Sequence, residues 1–261
     1  MQELITSAQN PKVKRLLALQ KDSSLRRESG LFVVEGCREL QHCVDAGFEI
    51  DTVFVCPSLA GSVSASAARI IEVSEAVYDR IAYRGGTEGV IAEVRAPQRR
   101  LEDLQLPENP LIIVLESVEK PGNLGAVLRS ADAAGADAVL VCDPLTDLWN
   151  PNLIRASIGA AFTVPAVACD SQEAILWLQS KGIQILTAQL QDSSLYYDCD
   201  MRRGTAIVMG TESTGLSQQW RKAASAHIRI PMLGRLDSLN VSVSAAILLF
   251  EAVRQRQTVS Q

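Results

Sequence analysis

The sequence of 261 residues contains only two histidines, and its six cysteines form no Cys-x-x-Cys pair. A zinc site draws on clusters of such ligands at characteristic spacings, so no metal site is predicted. The cysteines lie mostly in apolar segments such as "AVLVCDP", which is typical of buried, reduced thiols. We therefore expect no metal cofactor and a cytoplasmic location.

Long apolar runs are also missing. No window approaches the roughly 20 apolar residues that a membrane-spanning helix needs, so no membrane partner is expected. The first twenty residues contain neither the apolar core nor the cleavage site of a signal peptide, so export is not expected either. Apolar residues make up 47% and charged residues 21% of the chain, a balance typical of soluble globular proteins.

The formal net charge is −5, which argues against nucleic-acid binding when the chain is taken as a whole. The charge is unevenly distributed, however. Residues 10–30 contain six positive side chains and two negative ones, a local net charge of +4. On charge alone, a solvated helix face explains this patch as well as a nucleic-acid contact does.

The best candidate for a domain boundary is the polar segment "APQRRLEDLQLPENP", residues 96–110, which holds three prolines. Residues 1–95 alternate apolar strand patterns with helical ones, which predicts a small α/β domain with a largely parallel sheet. The same alternation is clearer in residues 111–261 and predicts a doubly wound parallel sheet. In such a sheet, ligands bind beyond the carboxyl ends of the strands.

Three of these strand ends carry unusual sequence. In "ESVEKPGNLGAVLRSADAAGA", Asn123 can cap the helix that follows the glycine-containing turn, and Arg129 lies about one and a half helical turns further on. The turn matches neither a dinucleotide-binding motif nor a P-loop. In "IVMGTESTGLS", Glu212 follows a core strand between glycines, where its carboxylate either ties loops together or contacts a ligand.

The third strand end, "IRIPMLGRLDSLNVSVSAA", leads into an apolar helix. Ser238 and Asn240 lie where this helix starts, and either one would serve as an ordinary helix cap. The irregular loop before them offers backbone N–H and C=O groups to a polar ligand. Taken singly, each of these strand ends is ambiguous between structure and function.

The order of the segments is more specific than any one of them. "PGNLGAVLRSADAAGA", "RASIGAAFTVP", "IVMGTESTGLS" and "IPMLGRLDSLNVSVSAAILLFEAVRQ" together resemble the motif series of the SpoU/TrmH family, which are RNA ribose 2′-O-methyltransferases of the SPOUT superfamily. The resemblance covers about residues 111–256. The first half resembles the ribosomal-protein-like α/β substrate-binding domain of this family. One departure is Lys120, where the family often has an aspartate.

The resemblance implies a parallel-sheet domain whose C-terminal segment forms a deep trefoil knot, and a homodimer that uses S-adenosylmethionine. It implies that the residues matching the motifs form the catalytic site, with Arg129 as the key group that organises the 2′-hydroxyl and a neighbouring phosphate. These catalytic residues are Asn123, Arg129, Glu212, Ser238 and Asn240. The residues that the resemblance implies for cofactor binding are Gly210, Glu212, Ile230, Met232 and Leu239.

The resemblance also raises the expectation that the basic patch contacts RNA, ribosomal RNA in particular. The predicted RNA-binding residues are Lys12, Lys14, Arg15, Arg38 and Arg84. Three alternatives remain open at this point. They are a non-catalytic RNA-binding or assembly protein with the same fold, an α/β enzyme acting on a small nucleotide, and a methyltransferase whose substrate is transfer RNA.

Neutralising Lys12, Lys14 and Arg15 should flatten the salt dependence of RNA binding, because a protein that contacts fewer phosphates releases fewer counterions from the RNA. The measurement is a series of RNA-binding titrations at increasing salt concentration. An unchanged slope in the triple variant would show that the patch is only a solvated helix face.

Overall fold

The computed structural model describes residues 3–61, 67–83, 88–211 and 214–257. The chain forms two compact units. Unit 1 comprises Met1–Gln98 and Trp149–Arg155, and unit 2 comprises Arg99–Leu148 and Ala156–Gln261. Unit 1 is therefore built from two separate stretches of the chain.

Unit 1 is an α/β unit with a five-stranded sheet in the order β1-β4-β3-β5-β2. Its elements in chain order are β1 (Glu3–Ile5), α1 (Pro11–Lys21), α2 (Ser23–Ser29), β2 (Leu31–Glu35), α3 (Cys37–Asp45), β3 (Ile50–Val55), β4 (Ala67–Val73), α4 (Glu75–Ile81) and β5 (Val90–Arg95). As expected, most of this sheet is parallel, since four of its five strands run in one direction, but β5 is an exception. Strand β5 lies between β2 and β3 and runs antiparallel to both, while β4 runs parallel to β1 and β3.

Helix α1 forms as its sequence predicts. The side chain of Asn10 caps it by accepting a hydrogen bond of 2.9 Å from the backbone N–H of Lys12, and Pro11 occupies the first turn. Val13, Leu16 and Leu19 recur at helical spacing and are fully buried. The basic side chains therefore occupy the remaining surface of this helix.

Arg15 has partners within the protein. Its guanidinium forms an ion pair with Glu93 of β5, whose side chain is fully buried, and lies 3.8 Å from a carboxylate oxygen of Asp51. Burial raises the pKa of Glu93, and the hydrogen bond from Arg15 opposes that increase. Removing Arg15 would leave a buried carboxylate without this partner. Lys12 and Lys14 are therefore the cleaner positions at which to test RNA binding.

The separate stretch of unit 1 supplies an aromatic side chain to its core. The ring of Trp149 stacks on Phe32 of β2 with 4.4 Å between centroids and meets Phe48 edge-on at 5.7 Å. Such aromatic pairs add to the free energy gained by burying the rings. Phe32 is fully buried, so residues 149–155 complete the core of unit 1.

Unit 2 is a parallel α/β unit, as predicted. Its seven strands have the order β10-β12-β9-β11-β6-β7-β8, and every pairing is parallel. The elements are β6 (Leu111–Glu116), α5 (Pro121–Ala133), β7 (Ala138–Cys142), α6 (Pro151–Ser157, which begins within unit 1), α7 (Ala160–Thr163), β8 (Ala166–Cys169), α8 (Ser171–Ser180), β9 (Gln184–Ala188), β10 (Ser194–Leu195), β11 (Thr205–Met209), α9 (Gln218–Ala223), β12 (Ala226–Arg229) and α10 (Val241–Gln257). The trefoil knot stays a prediction.

Arg256 fixes the end of α10. Its guanidinium donates hydrogen bonds of 2.9–3.1 Å to the backbone carbonyls of Met201, Asn109, Pro110 and Arg203. Burial lowers the pKa of Arg256 from its ordinary value. A hydrogen bond to a charged group contributes roughly 1.5–3 kcal/mol, so this residue anchors the last helix to the chain before β6 and β11.

All six cysteines are free thiols, and Cys43, Cys56 and Cys142 are buried. Burial raises the pKa of Cys43, so this thiol stays protonated. Among the described residues, no helix is long and apolar enough to span a membrane. No group of three or more potential metal ligands occurs in the same part of the chain.

Candidate active site

A cavity of about 370 Å³ lies at the carboxyl edge of the sheet of unit 2. Its walls are the loops that follow β9, β11 and β12, together with the start of α10. The cavity brings together residues that the sequence predicts for the cofactor and catalytic sites, namely Gly210, Ile230, Met232, Ser238 and Leu239.

A second cavity, of about 150 Å³, shares a wall with the first. Gly210, Thr211 and Val241 line both cavities. Lys120, just before α5, and Asn123, in its first turn, line only the smaller cavity. The predicted catalytic Asn123 is therefore next to the predicted cofactor cavity. A cofactor in the larger cavity and a reacting group in the smaller one would be neighbours.

Gly210 belongs to the wall that the two cavities share. A Cβ atom at this position would lie 2.3 Å from the backbone carbonyl carbon and oxygen of Gly215 and 2.6 Å from the nitrogen of Leu216. Gly215 has φ +67°, which favours glycine at that position too. The two glycines let the loop after β11 fold back tightly on the end of its own strand.

Asn240 connects two of the predicted motifs. Its Nδ2 donates a hydrogen bond of 3.2 Å to Oδ1 of Asn123, although the two residues are 117 positions apart. Its own Oδ1 accepts hydrogen bonds of 3.0 Å from the backbone N–H of Ser242 and 2.6 Å from the Ser242 hydroxyl. Asn240 therefore caps α10 and contacts the first motif with the same side chain.

The prediction that Asn123 caps α5 is wrong. Helix α5 begins at Pro121 with Lys120 at its cap position, so Asn123 lies within the first turn. The proline fixes the backbone conformation that starts the helix. The side chain of Asn123 is therefore available for its contact with Asn240.

The structure does not bring Arg129 into either cavity. Its side chain is exposed on α5 and makes no hydrogen bond to the described residues. Each residue of an α-helix turns by about 100°, so Arg129, six residues after Asn123, points about 120° away from Asn123 around the helix axis. Arg129 faces another side of the helix in the single chain.

Ser238 is exposed, and its hydroxyl donates to the carboxylate of the adjacent Asp237 at 3.3 Å. Glu212, predicted for both catalysis and cofactor binding, lies outside the described residues, as does Arg84. Lys14 is exposed and Lys12 is half-buried on α1, while Arg38 is exposed on α3. The roles of these residues stay predictions.

Two residues of this region are not identified by sequence reasoning. Glu116, the buried last residue of β6, accepts a hydrogen bond of 2.8 Å from the backbone N–H of Ser217 and so ties the loop after β11 to the centre of the sheet. Arg221 lines the larger cavity and donates to the carbonyl of Leu216 at 3.2 Å. A carboxylate at the end of an apolar strand was a usable signal for Glu116, whereas nothing local distinguishes Arg221.

The family assignment follows from comparison with known proteins. The model of the SpoU rRNA Methylase family matches residues 110–250, which include both cavities and the Asn123–Asn240 contact. This chain belongs to the SpoU rRNA Methylase family. A second model, described as the MRM3-like substrate binding domain, matches residues 10–92.

Individual SpoU relatives agree with this assignment. The chain is 38% identical to the 23S rRNA (guanosine-2′-O-)-methyltransferase RlmB of Vibrio cholerae over 72% of its own length and 78% of the relative's. A solved RNA 2′-O ribose methyltransferase is 40% identical, with a TM-score of 0.83 over 97% of this chain and 99% of that one. The SpoU methyltransferase AviRb of Streptomyces viridochromogenes with bound AdoMet is 27% identical, with a TM-score of 0.89 over 96% and 99% of the two chains.

The chain is accordingly an RNA ribose 2′-O-methyltransferase that uses S-adenosylmethionine. The larger cavity fits this cofactor, because its volume of about 370 Å³ falls in the usual range for small-molecule sites. Its lining also contains charges of both signs. Arg221 and Arg229 are complementary to the carboxylate of the methionine part, and Asp237 is complementary to its ammonium group. The backbone of Gly210, Ile230 and Leu239 would hold the remainder, and the cofactor supplies a methyl group on a positively charged sulfur.

Replacing Gly210 by alanine should weaken S-adenosylmethionine binding about ten-fold or more, because the added methyl overlaps the Gly215 backbone and displaces a cavity wall. Isothermal titration calorimetry measures this directly. The matched control is Gly122→Ala in the first turn of α5, where the added methyl meets no atom within 4 Å. Equal cofactor affinity in the two variants would contradict the assignment of this cavity.

Proposed function

We propose that the protein methylates a ribose 2′-hydroxyl of ribosomal RNA. The observation that carries the proposal is the shared wall of the two cavities, which puts Asn123 and Asn240 beside a cofactor-sized space. The relatives support ribosomal RNA as the substrate, since RlmB of Vibrio cholerae is a 23S rRNA methyltransferase by name. A purely RNA-binding protein would not need this combination of cavity and motifs.

Arg129 is proposed as the key catalytic group. A ribose 2′-hydroxyl is a weak nucleophile that must lose its proton and be aligned for transfer. A guanidinium remains protonated at neutral pH, so it is a poor base. Arg129 would therefore bind the neighbouring phosphate and lower the pKa of the 2′-hydroxyl, while phosphate or water accepts the proton. Its exposed side chain is available for an RNA ligand.

The remaining motif residues would orient these groups. Asn240 is rigid because the cap of α10 fixes its carbonyl oxygen, so its amide can hold Asn123 in place beside the cofactor. Ser238 and Glu212 would contact the ribose or the cofactor loops. In this assignment, Asn123 and Asn240 position the ribose.

Unit 1 is proposed to hold the RNA substrate. Lys12, Lys14, Arg38 and Arg84 would contact phosphates, since electrostatic attraction to the backbone supplies much of the affinity for RNA. We assign Arg15 mainly to its ion pair with Glu93. The match of residues 10–92 to a substrate-binding model supports this division of labour. We retain the boundaries 1–95 and 111–261, with residues 96–110 as the linker, as proposals.

The active form is proposed to be a cytoplasmic homodimer. Val243 and Phe250 are 47% and 48% exposed on α10 and lie on one face of it, because seven residues make nearly two turns. Ala246 and Ile247 between them are half-exposed. An apolar stripe on a long helix is the expected core of an interface between two copies. A second copy would also provide a surface toward which Arg129 can point.

Wild-type protein should transfer label from S-adenosylmethionine to ribosomal RNA, when it is incubated with total RNA from cells that lack this protein. Reverse-transcription stops should then map the 2′-O-methyl nucleotide.

Arg129→Ala should lower the transfer rate by about 100-fold or more while leaving cofactor binding largely intact, because one lost electrostatic contact to the transition state costs that much. Arg202→Ala is the matched control, since Arg202 pairs with Asp200 on the surface. Labelling of transfer RNA alone would overturn the proposed substrate, and a fully active Arg129→Ala variant would overturn the mechanism.

Introducing a charge on the apolar stripe should separate the subunits. We expect Phe250→Glu to convert the dimer to a monomer in light scattering coupled to size-exclusion chromatography, because an unpaired carboxylate in an apolar interface is costly. Leu176→Glu serves as the control, since Leu176 is 58% exposed on α8. A wild-type protein that elutes as a monomer at micromolar concentration would rule out the proposed dimer.

A further inference from the structure

Unit 1 contains a cavity of about 310 Å³ that the active-site assignment does not use. It is formed by the end of β2, the first turn of α3, the residues that flank α4 and β5, and the segment 149–155. Its size is at the lower end of the range for small-molecule sites. Of its lining residues, only Arg38 has been assigned a role so far.

One wall of this cavity carries the planar groups of Tyr83 and Arg155, which we call the platform. Tyr83 is 46% exposed, and the guanidinium carbon of Arg155 lies over its ring, 5.6 Å from the centroid. Asn152 fixes both groups, because its Oδ1 accepts hydrogen bonds from Nη2 of Arg155 at 3.1 Å and from the Tyr83 hydroxyl at 3.4 Å. Aromatic rings and arginine planes are the surfaces on which proteins stack unpaired RNA bases.

The adjoining wall carries carboxylates, which only accept hydrogen bonds when ionised. Glu35 accepts from the backbone N–H of Tyr83 at 3.1 Å, and Glu88 accepts from the backbone N–H of Cys37 at 2.7 Å. Glu39 accepts no hydrogen bond from the described residues. The acceptors of Glu39 are therefore the ones available to a ligand in this cavity.

Gly36 keeps the space in front of Glu39 open. Its φ of +100° is a conformation that side-chain-bearing residues rarely adopt, and a Cβ here would lie 3.1 Å from Oε2 of Glu39. Gly36 and Glu39 both line the cavity. The platform and the carboxylate of Glu39 on α3 therefore line the same cavity.

We propose that this cavity seats one unpaired guanine of the RNA substrate. The base stacks on the platform of Tyr83 and Arg155, and its N1–H and 2-amino groups donate two hydrogen bonds to Glu39. Among the standard bases, guanine alone presents two adjacent donors on its Watson–Crick edge, which is what an acceptor-only carboxylate selects. Arg38 at the cavity rim pairs with a neighbouring phosphate.

The proposal rests on the proposed RNA substrate, and its test uses full-length protein with fluorescent hexanucleotides. UUGUUU, UUIUUU with inosine, and UUUUUU differ in the donors that one base offers. Wild-type protein should bind UUGUUU about ten-fold more tightly than UUUUUU, with the inosine RNA in between, since the paired hydrogen bonds carry about that factor and every base can stack. Tyr83→Ala should weaken binding of UUGUUU, and Tyr83→Phe should restore it.

Glu39→Gln should remove the preference for guanine over inosine, while the affinity for the inosine RNA stays the same. The control is Glu28→Gln, which makes the same charge change at an exposed position and should keep the preference. Equal affinity of wild-type protein for the three RNAs, or an unchanged preference in Glu39→Gln, would overturn the guanine site. Cofactor binding and RNA labelling are measured on the same preparations. If those succeed while the preference is absent, only the guanine site fails. If they fail as well, the proposed function fails.

Discussion

The parallel direction of all seven strands in unit 2 is the constraint on which the active site depends. Parallel strands must all be reached by crossovers, so their carboxyl ends meet at one edge and their loops leave together. The loops after β9, β11 and β12 consequently enclose one cavity, although they come from segments dozens of residues apart. Nothing further is needed to bring the motifs to one place, but their exact contacts require special residues. Gly210 permits the tight return of one loop, and Glu116 ties that loop to the central strand.

The last helix links this edge of the sheet to the rest of the unit. At its start, Asn240 satisfies a free backbone N–H and reaches Asn123, so the same side chain serves stability and site geometry. At its other end, Arg256 binds backbone carbonyls just before β6 and just before β11, which are neighbouring strands of the sheet. A helix held at both ends cannot shift without disturbing the contact between the motifs. This is why polar residues crowd the beginning of an otherwise apolar helix.

The sequence predicts elements better than their partners. Helix α1 follows from its proline, its cap and its apolar spacing, which are all local signals. Helix α2 is not predicted, since it is short and polar and depends on the cap by Asp22 and on Gly30 with φ +63°. The antiparallel direction of β5 is missed because a strand pattern carries no direction. The sequence predicts an RNA contact for Arg15 and not its ion pair, because the buried Glu93 that pairs with it lies 78 positions away. The meeting of Asn123 with Asn240 is likewise nonlocal, and only the family resemblance anticipates it.

Trp149 gives unit 1 a boundary that does not follow the order of the chain. Its ring completes the core around Phe32, yet it lies within the stretch that matches the methyltransferase family. A chimera joined in residues 96–110 would combine the residue at position 32 of one relative with the residue at position 149 of another. The side chains at these two positions must therefore change together during evolution. Exchange of unit 1 among relatives is therefore restricted by a single aromatic stack, however permissive residues 96–110 are.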